Sequence, residues 1–360
     1  MKANKLPLAE KTDIKNWAFE DLVLTDEASS SVDLDQLNMT ANTIVLVDGK
    51  IVHQQVDDQV MIETTLTSHQ ATNKLIALNA AKQNSLLKVV VPKNVKVETP
   101  LSVIAIAKDR SLVHTNEVIL EMGATLHYTE SFIGQGKFNA NIVSNFNVGE
   151  NANLTVNTMD ELHAGTVVYH HKCGHVAANG TIDATNFAIN DTDLVFEDLT
   201  YLNGKGAEAQ IKTVSIASGG QKQNLTIKIE NVAGRTIGNI INYGIVKDTA
   251  HLAFNGVGKI QKDAKDCDNQ QETRLLNLSK KAEAVANPFL LIDEGDITAG
   301  HAASIGQLDE EQIYYLMSRG MSREEASKMI VSGFLTPFVD VIHDETMRQE
   351  LTARIEQKLG

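Results

Sequence analysis

The sequence is poor in cysteine, proline and aromatic residues, holding two Cys, five Pro and one Trp in 360 residues. Two thiols, Cys173 and Cys267, cannot make a disulfide framework, nor a four-thiolate zinc or iron–sulfur centre within one chain. A reducing compartment fits them. Apolar runs such as Leu101 to Ala107 fall short of the ~20 residues that cross a bilayer, and the opening MKANKLPLAEKTD has no apolar signal core. A cytoplasmic location is expected. Cations are also in the minority: 32 Lys plus Arg against 46 Asp plus Glu give a net charge of −14, which repels phosphate backbones and anionic membranes. No nucleic-acid or membrane partner is expected.

Phosphate-binding loops are missing as well. Gly256-Val257-Gly258-Lys259-Ile260 lacks the hydroxyl after the lysine and the glycine five residues before it. Gly204-Lys205-Gly206-Ala207-Glu208-Ala209 matches a dinucleotide loop formally, but Gln210 to Ala217 reads as a strand, not as a helix whose N-terminus could hold a pyrophosphate. The chain should bind no nucleotide and should not hydrolyse ATP.

What is present is many short Val/Ile/Thr segments among 23 glycines, which predicts a mainly β protein. Three regions follow from the patterning. Residues 1–88 read as a small α+β domain: an apolar cluster at Trp17, Phe19 and Leu22, a hairpin over Thr43 to Ile51 around Asp48-Gly49, and a helix over Lys74 to Gln83. Residues 89–308 read as strands separated by Gly/Asn/Asp turns, with Leu225, Ile227 and Ile229 on one face and Thr226 and Lys228 on the other. A weak repeat accompanies them: a small residue before a strand at Ala124, Ala152, Ala207 and Ala250, the first two 28 positions apart. That periodicity predicts stacked coils of a β-solenoid, with an irregular β-sandwich as the rival.

Residues 309–360 read as helices. Asp309 with Gln312 and Ser322 with Glu325 are capping pairs, Met321 and Ala326 suit a hydrophobic staple, Gly320 and Gly333 are stops, and Thr336-Pro337 opens a third helix with Val341, Ile342, Leu351 and Ile355 buried.

Chemistry is sparse. His170-His171-Lys172-Cys173-Gly174-His175 gathers soft ligands, and as a strand it puts His171, Cys173 and His175 on one face. Those three span about 13 Å by strand rise, too far for one ion, so ordinary strand polarity competes with a metal site. Acidic neighbours of Cys267 argue against a reactive thiol there. His301 stands among small residues and is accessible to an ion or partner, although a lone histidine is by itself more in keeping with a structural role. No Ser/His/Asp set or carboxylate pair stands out.

The run Gly300-His301-Ala302-Ala303-Ser304-Ile305-Gly306-Gln307-Leu308-Asp309-Glu310-Glu311-Gln312-Ile313-Tyr314-Tyr315-Leu316-Met317-Ser318-Arg319-Gly320-Met321 resembles the SufB/SufD family of iron–sulfur cluster assembly proteins, its SufD branch in particular. Leu275 to Ser279, Asn287-Pro288, Val45 to Lys50 and Ala77 to Ala81 carry the resemblance across most of the chain. It implies a right-handed parallel β-helix core with a small N-terminal and a helical C-terminal domain. It further implies a non-catalytic scaffold that pairs with a SufB-like subunit through the β-helix, or with itself when isolated. The C-terminal helices would dock the ATPase SufC, with Tyr314, Arg319 and Gly320 at the docking corner and Tyr315 and Leu316 packed internally. His301 matches a histidine proposed to hold iron or a transient, nascent cluster shared with SufB. Where SufB has a cysteine and a glutamate near that histidine, this chain has Thr273 and Ala302, which favours SufD. Two other readings remain at this point: a β-helix carbohydrate-active enzyme, against which the low aromatic content counts, and a SufB-like homodimeric cluster scaffold.

Overall fold

A computed structural model describes residues 14, 17–24, 32–34, 37, 39–64, 72–108, 110–134, 136–162, 167–340, 342 and 345–359. The elements begin with β1 (Thr43–Val47), β2 (Lys50–Gln55), β3 (Met61–Glu63), α1 (Lys74–Lys82), β4 (Ser85–Val91), β5 (Leu101–Ala107) and β6 (Leu112–Leu120). They continue with β7 (Thr125–Gly134), β8 (Ala140–Val148), β9 (Asn153–Glu161), β10 (Val167–Val176), β11 (Thr181–Ala188), β12 (Asp193–Leu202) and β13 (Glu208–Ala217). Then come β14 (Lys222–Asn231), β15 (Ile237–Val246), β16 (His251–Ile260), β17 (Cys267–Asn277), β18 (Glu283–Ile292) and β19 (Ile297–Gly306), and the helices α2 (Glu310–Ser318), α3 (Arg323–Val339) and α4 (Glu345–Leu359).

From β4 onward, odd strands fall in one sheet, A, and even strands in the other, B, and from β6 onward each strand pairs in parallel with the strand two before it. That is a parallel β-solenoid, and it excludes the sandwich. Thr125 pairs with Asn153, Asn153 with Thr181 and Thr181 with Glu208, so a coil takes 28, 28 and 27 residues. The small-residue repeat marks the corners: Ala124, Ala152 and Ala207 are fully buried just before β7, β9 and β13, and Ala250 and Ala282 do the same before β16 and β18. Corners stack so tightly that a Cβ on Gly204 would fall 2.0 Å from the backbone nitrogen of Ala178. Close stacking thus accounts for the glycine-rich run that mimics a dinucleotide loop; it leads into β13, and Gly256 to Lys259 lie within β16.

The N-terminal elements merge into this core. β1 and β2 form the expected hairpin, turning at Asp48 and Gly49 with φ of 48° and 85°, but β1 also pairs in parallel with β5 and so extends sheet A. The boundary at residue 88 falls inside β4, which already pairs with β6. Asn73 caps α1 by accepting from the Leu75 and Ile76 N–H groups, and Leu75 and Ile76 pack with Ile14, Phe19, Tyr169 and Val195 on the outer face of sheet B.

At the other end α3 and α4 cover the outer face of sheet A, where Met159, Phe187, Val214 and Ile245 meet Val331, Leu335, Phe338, Ile342, Leu351 and Ile355. Asp309 caps α2 through the Glu311 N–H, and Ser322 and Glu325 form the expected capping box. Two expected boundaries are overturned. α3 runs through Gly333, and Pro337 sits in its last turn instead of opening a third helix. Burial of Val331, Leu335 and Phe338 outweighs the ~1 kcal/mol helix cost of a glycine. Val341 lies outside the described residues. A clasp fixes α4: Arg354 Nη2 and Lys358 Nζ reach the two carboxylate oxygens of Asp191 at 2.7 and 3.0 Å, and Lys247 Nζ donates to the Leu359 carbonyl at 3.1 Å.

Candidate functional site

Side chains alternate along each strand, so parallel register aligns inward-facing residues into files that run the length of the solenoid. One file in sheet A reads Tyr128, Val156, Ala184, Ile211, Ile240, Gln271 and finally His301. The next reads Glu130, Thr158, Asn186, Thr213, Asn242, Thr273 and finally Ala303. The first is apolar until its last two members. The second is polar for six coils.

The polar file is knitted together in the middle of the solenoid. Glu130, fully buried, accepts from Asn116 Nδ2 at 3.0 Å, Ser144 Oγ at 2.9 Å and Thr158 Oγ1 at 2.9 Å. Lys172 Nζ lies 3.6 Å from Glu130, donates to Thr158 Oγ1 and to Asn186 Oδ1 at 2.6 Å, and Asn186 Nδ2 in turn donates to Asp198 at 3.0 Å. Burial alone would raise the Glu130 carboxyl pKa, but the Lys172 charge foremost, with the hydrogen bonds, holds it below the ordinary value. Nearby His114 is pushed down to about 4 by burial and is therefore neutral, bonded to Ser85 and Asn116.

Toward the C-terminal end the interior changes. Asn269 Nδ2 donates to Asn231 Oδ1 at 2.7 Å and Gln271 Nε2 to the Phe289 carbonyl at 2.8 Å, leaving Asn269 Oδ1 and Gln271 Oε1 buried without a partner. They face Gly256 and Gly258, where any Cβ would collide with them. Cys267 is buried here, 3.1 Å from Thr236 Oγ1, and pairs in register with Ile297, four positions from His301 on β19. It is a buried core thiol.

His301 itself is exposed, on the terminal strand of sheet A; among the described residues β19 pairs only with β17, and β18 likewise ends sheet B. Around this open end Leu291, Ile292 and Ile305 are 50%, 41% and 51% exposed. Thr273 is buried beside Ala303, so the position where the resemblance puts a SufB thiol lies one strand inward and two residues along from His301. Among the described residues no three of His, Cys, Asp and Glu converge to enclose a metal ion. His301 is at most part of a site.

The second candidate region is the α2–α3 corner. Tyr314 is 75% exposed, Tyr315 is 56% exposed against the expectation that it packs internally, and the Arg319 guanidinium lies 5.2 Å over the Tyr315 ring. Asp309, Glu311, Gln312, Tyr315, Leu316 and Ile330 line a groove of about 420 Å³ there. Gly320 closes α2 with φ of 98°, the Gly320 N–H bonding the Met317 carbonyl and the Met321 N–H that of Leu316, a Schellman motif. A Cβ would meet nothing within 4 Å, so Gly320→Ala should destabilise this corner by backbone strain alone, about 1–2 kcal/mol, read as faster amide exchange in α2 without change in the solenoid strands.

Comparison with known proteins decides what these features belong to. The model of the SUF system FeS cluster assembly SufBD core domain matches residues 103–334. The chain belongs to the SufBD family. The iron–sulfur cluster assembly protein SufD of Bacillus subtilis is 34% identical over an alignment covering 98% of this chain and 90% of that protein. An iron–sulfur cluster assembly SufBD family protein of Staphylococcus aureus is 27% identical over 74% of this chain and 59% of its own length. This is a SufD-like iron–sulfur cluster assembly protein, and the SufBD match runs from β5 into α3, embracing His301, Tyr314, Arg319 and Gly320. The carbohydrate-active reading rested on fold alone and falls away. No described helix is long and apolar enough to cross a membrane.

His301 and the tail corner are candidates the sequence alone singles out, whereas the Glu130–Lys172 interior and the Asp191 clasp are not legible in it. Their members lie 42 and more than 160 positions apart, and only the register and the docking of α4 bring them together.

Proposed function

We propose that the protein is a non-catalytic scaffold subunit of a SufB–SufC–SufD type complex, completing an iron or nascent-cluster site at its open solenoid end. The observation that carries this is His301: an exposed imidazole on an edge strand at the end of the solenoid, where Leu291, Ile292 and Ile305 are also exposed, and without companion ligands among the described residues. Iron requires several thiolate, imidazole or carboxylate ligands, so the rest must come from the subunit that covers the edge. In this reading a SufB-like partner, or a second copy when the chain is isolated, adds its terminal coil to β18 and β19 by strand addition. The α2–α3 groove receives the SufC ATPase, and nucleotide chemistry stays in that separate chain. A cluster shared across an interface is labile by construction, which suits a product that must be handed on.

The test is co-expression with the two partners and anaerobic reconstitution with His301→Ala. The expected result is intact assembly and ATPase activity with iron and cluster content reduced several-fold. Unchanged cluster content would refute the ligand role.

A further inference from the structure

Strand β10 turns His170 and Lys172 into the interior and presents its alternate residues to the outer face of sheet B. There Glu117, Asn145, Asn147, Cys173, His175 and Tyr201 line a groove of about 270 Å³, bounded on one side by Ile76 of α1. Cys173 Sγ and His175 Nε2 lie 3.6 Å apart. A tetrahedral ion bonded at ~2.3 Å to a thiolate and ~2.0–2.1 Å to an imidazole holds those two atoms roughly 3.5 Å apart. The pair already has the bite of a chelate.

The surroundings favour this use. The Tyr201 ring stacks on the His175 ring at 5.1 Å and 15°, fixing its plane, and Asn203 Nδ2 lies 3.1 Å from His175 Nδ1. With Asn203 Nδ2 donating to Nδ1, the imidazole carries its proton on Nε2, toward sulfur. Turning the Asn203 amide end for end offers Oδ1 to an Nδ1–H and frees the Nε2 lone pair, the second-shell bond usual for a ligating histidine. Burial lowers the His175 pKa, so the imidazole is neutral near pH 7. His171 takes no part: its Nδ1 lies 3.1 Å from Glu197, and it stands about 13 Å along the strand from His175.

We propose that Cys173 and His175 form a solvent-open, two-ligand site for a thiophilic divalent cation, with water in the groove completing the coordination. It is separate from the half-site assigned to His301. On binding, the imidazole only exchanges tautomer while the thiol loses its proton, so one proton leaves per ion bound.

The test is anaerobic titration of the reduced full chain with Co²⁺, followed by the thiolate-to-cobalt charge-transfer band. Wild type, Cys267→Ser and His301→Ala should each develop the band and saturate at one ion per chain. Cys173→Ser should abolish it, and His175→Asn should weaken binding at least tenfold. Absence of the band in wild type, its survival in Cys173→Ser, or its loss in Cys267→Ser or His301→Ala would overturn the proposal. Should far-ultraviolet circular dichroism show that Cys173→Ser disturbs the fold, His175→Asn decides: unchanged cobalt affinity sinks the site.

Discussion

Replacing Lys172 by Met should destabilise the middle of the solenoid by about 3–5 kcal/mol, because it removes a buried ammonium and leaves the Glu130 carboxylate buried without that counter-charge. Thr158 and Asn186 would lose a donor as well. A solenoid need not unfold in one step, so the measurement is amide exchange resolved by strand, with the largest loss of protection expected in β7, β9, β10 and β11. A Lys172→Met/Glu130→Gln double variant removes both charges and should recover at least half of the loss, since the cost of the single change is mainly the orphaned carboxylate. A single variant within about 1 kcal/mol of wild type would show that the interior charge is not held as described. The sign with pH follows from the lowered Glu130 pKa. Its contribution is present above the ordinary glutamate range and is lost as pH falls through the lowered folded value.

This network marks the limit of what the sequence discloses. Corner alanines, the Asp48-Gly49 turn and the Ser322–Glu325 box depend on local geometry, which neighbouring residues determine, and each is where the pattern places it. Period-two reading also assigns faces, but it treats polar as outward. Glu130, Thr158, Lys172 and Asn186 are polar and inward, and only the coil register reveals that they satisfy one another. Gly333 and Pro337 mislead for a related reason: they are a local stop signal and a local start signal inside one helix whose apolar side is secured by a sheet more than 80 residues upstream. Likewise the His170–His175 segment is legible as a ligand-rich strand. Which of its members meet is a matter of rotamers and of Tyr201, Asn203 and Glu197 on the adjoining coil.

The open end carries the other large effect: placing Lys at both Leu291 and Ile305 should weaken association with the SufB-like partner, or self-association of the isolated chain, on the order of several hundred-fold. Each side chain is about half exposed in the free chain, so covering the edge would bury the rest for on the order of 1 kcal/mol apiece. A buried, unpaired ammonium adds a further penalty of several kcal/mol, softened where the lysine stem lets the charge reach water. Before association both positions face solvent, so the isolated fold should hardly change. Alanine at the same two positions removes contact without adding charge and should cost only about tenfold, which separates lost burial from repulsion of the partner. Sedimentation velocity of the mixed subunits, with amide exchange in β18 and β19 as a check on local structure, reads all three forms. Undiminished association by the double lysine variant would place the interface elsewhere, and with it the partner ligands of the proposed His301 half-site. Two edge strands, each with one side open and bearing exposed apolar side chains, are a hazard for a lone protein, which is the physical reason to expect that a partner subunit covers them.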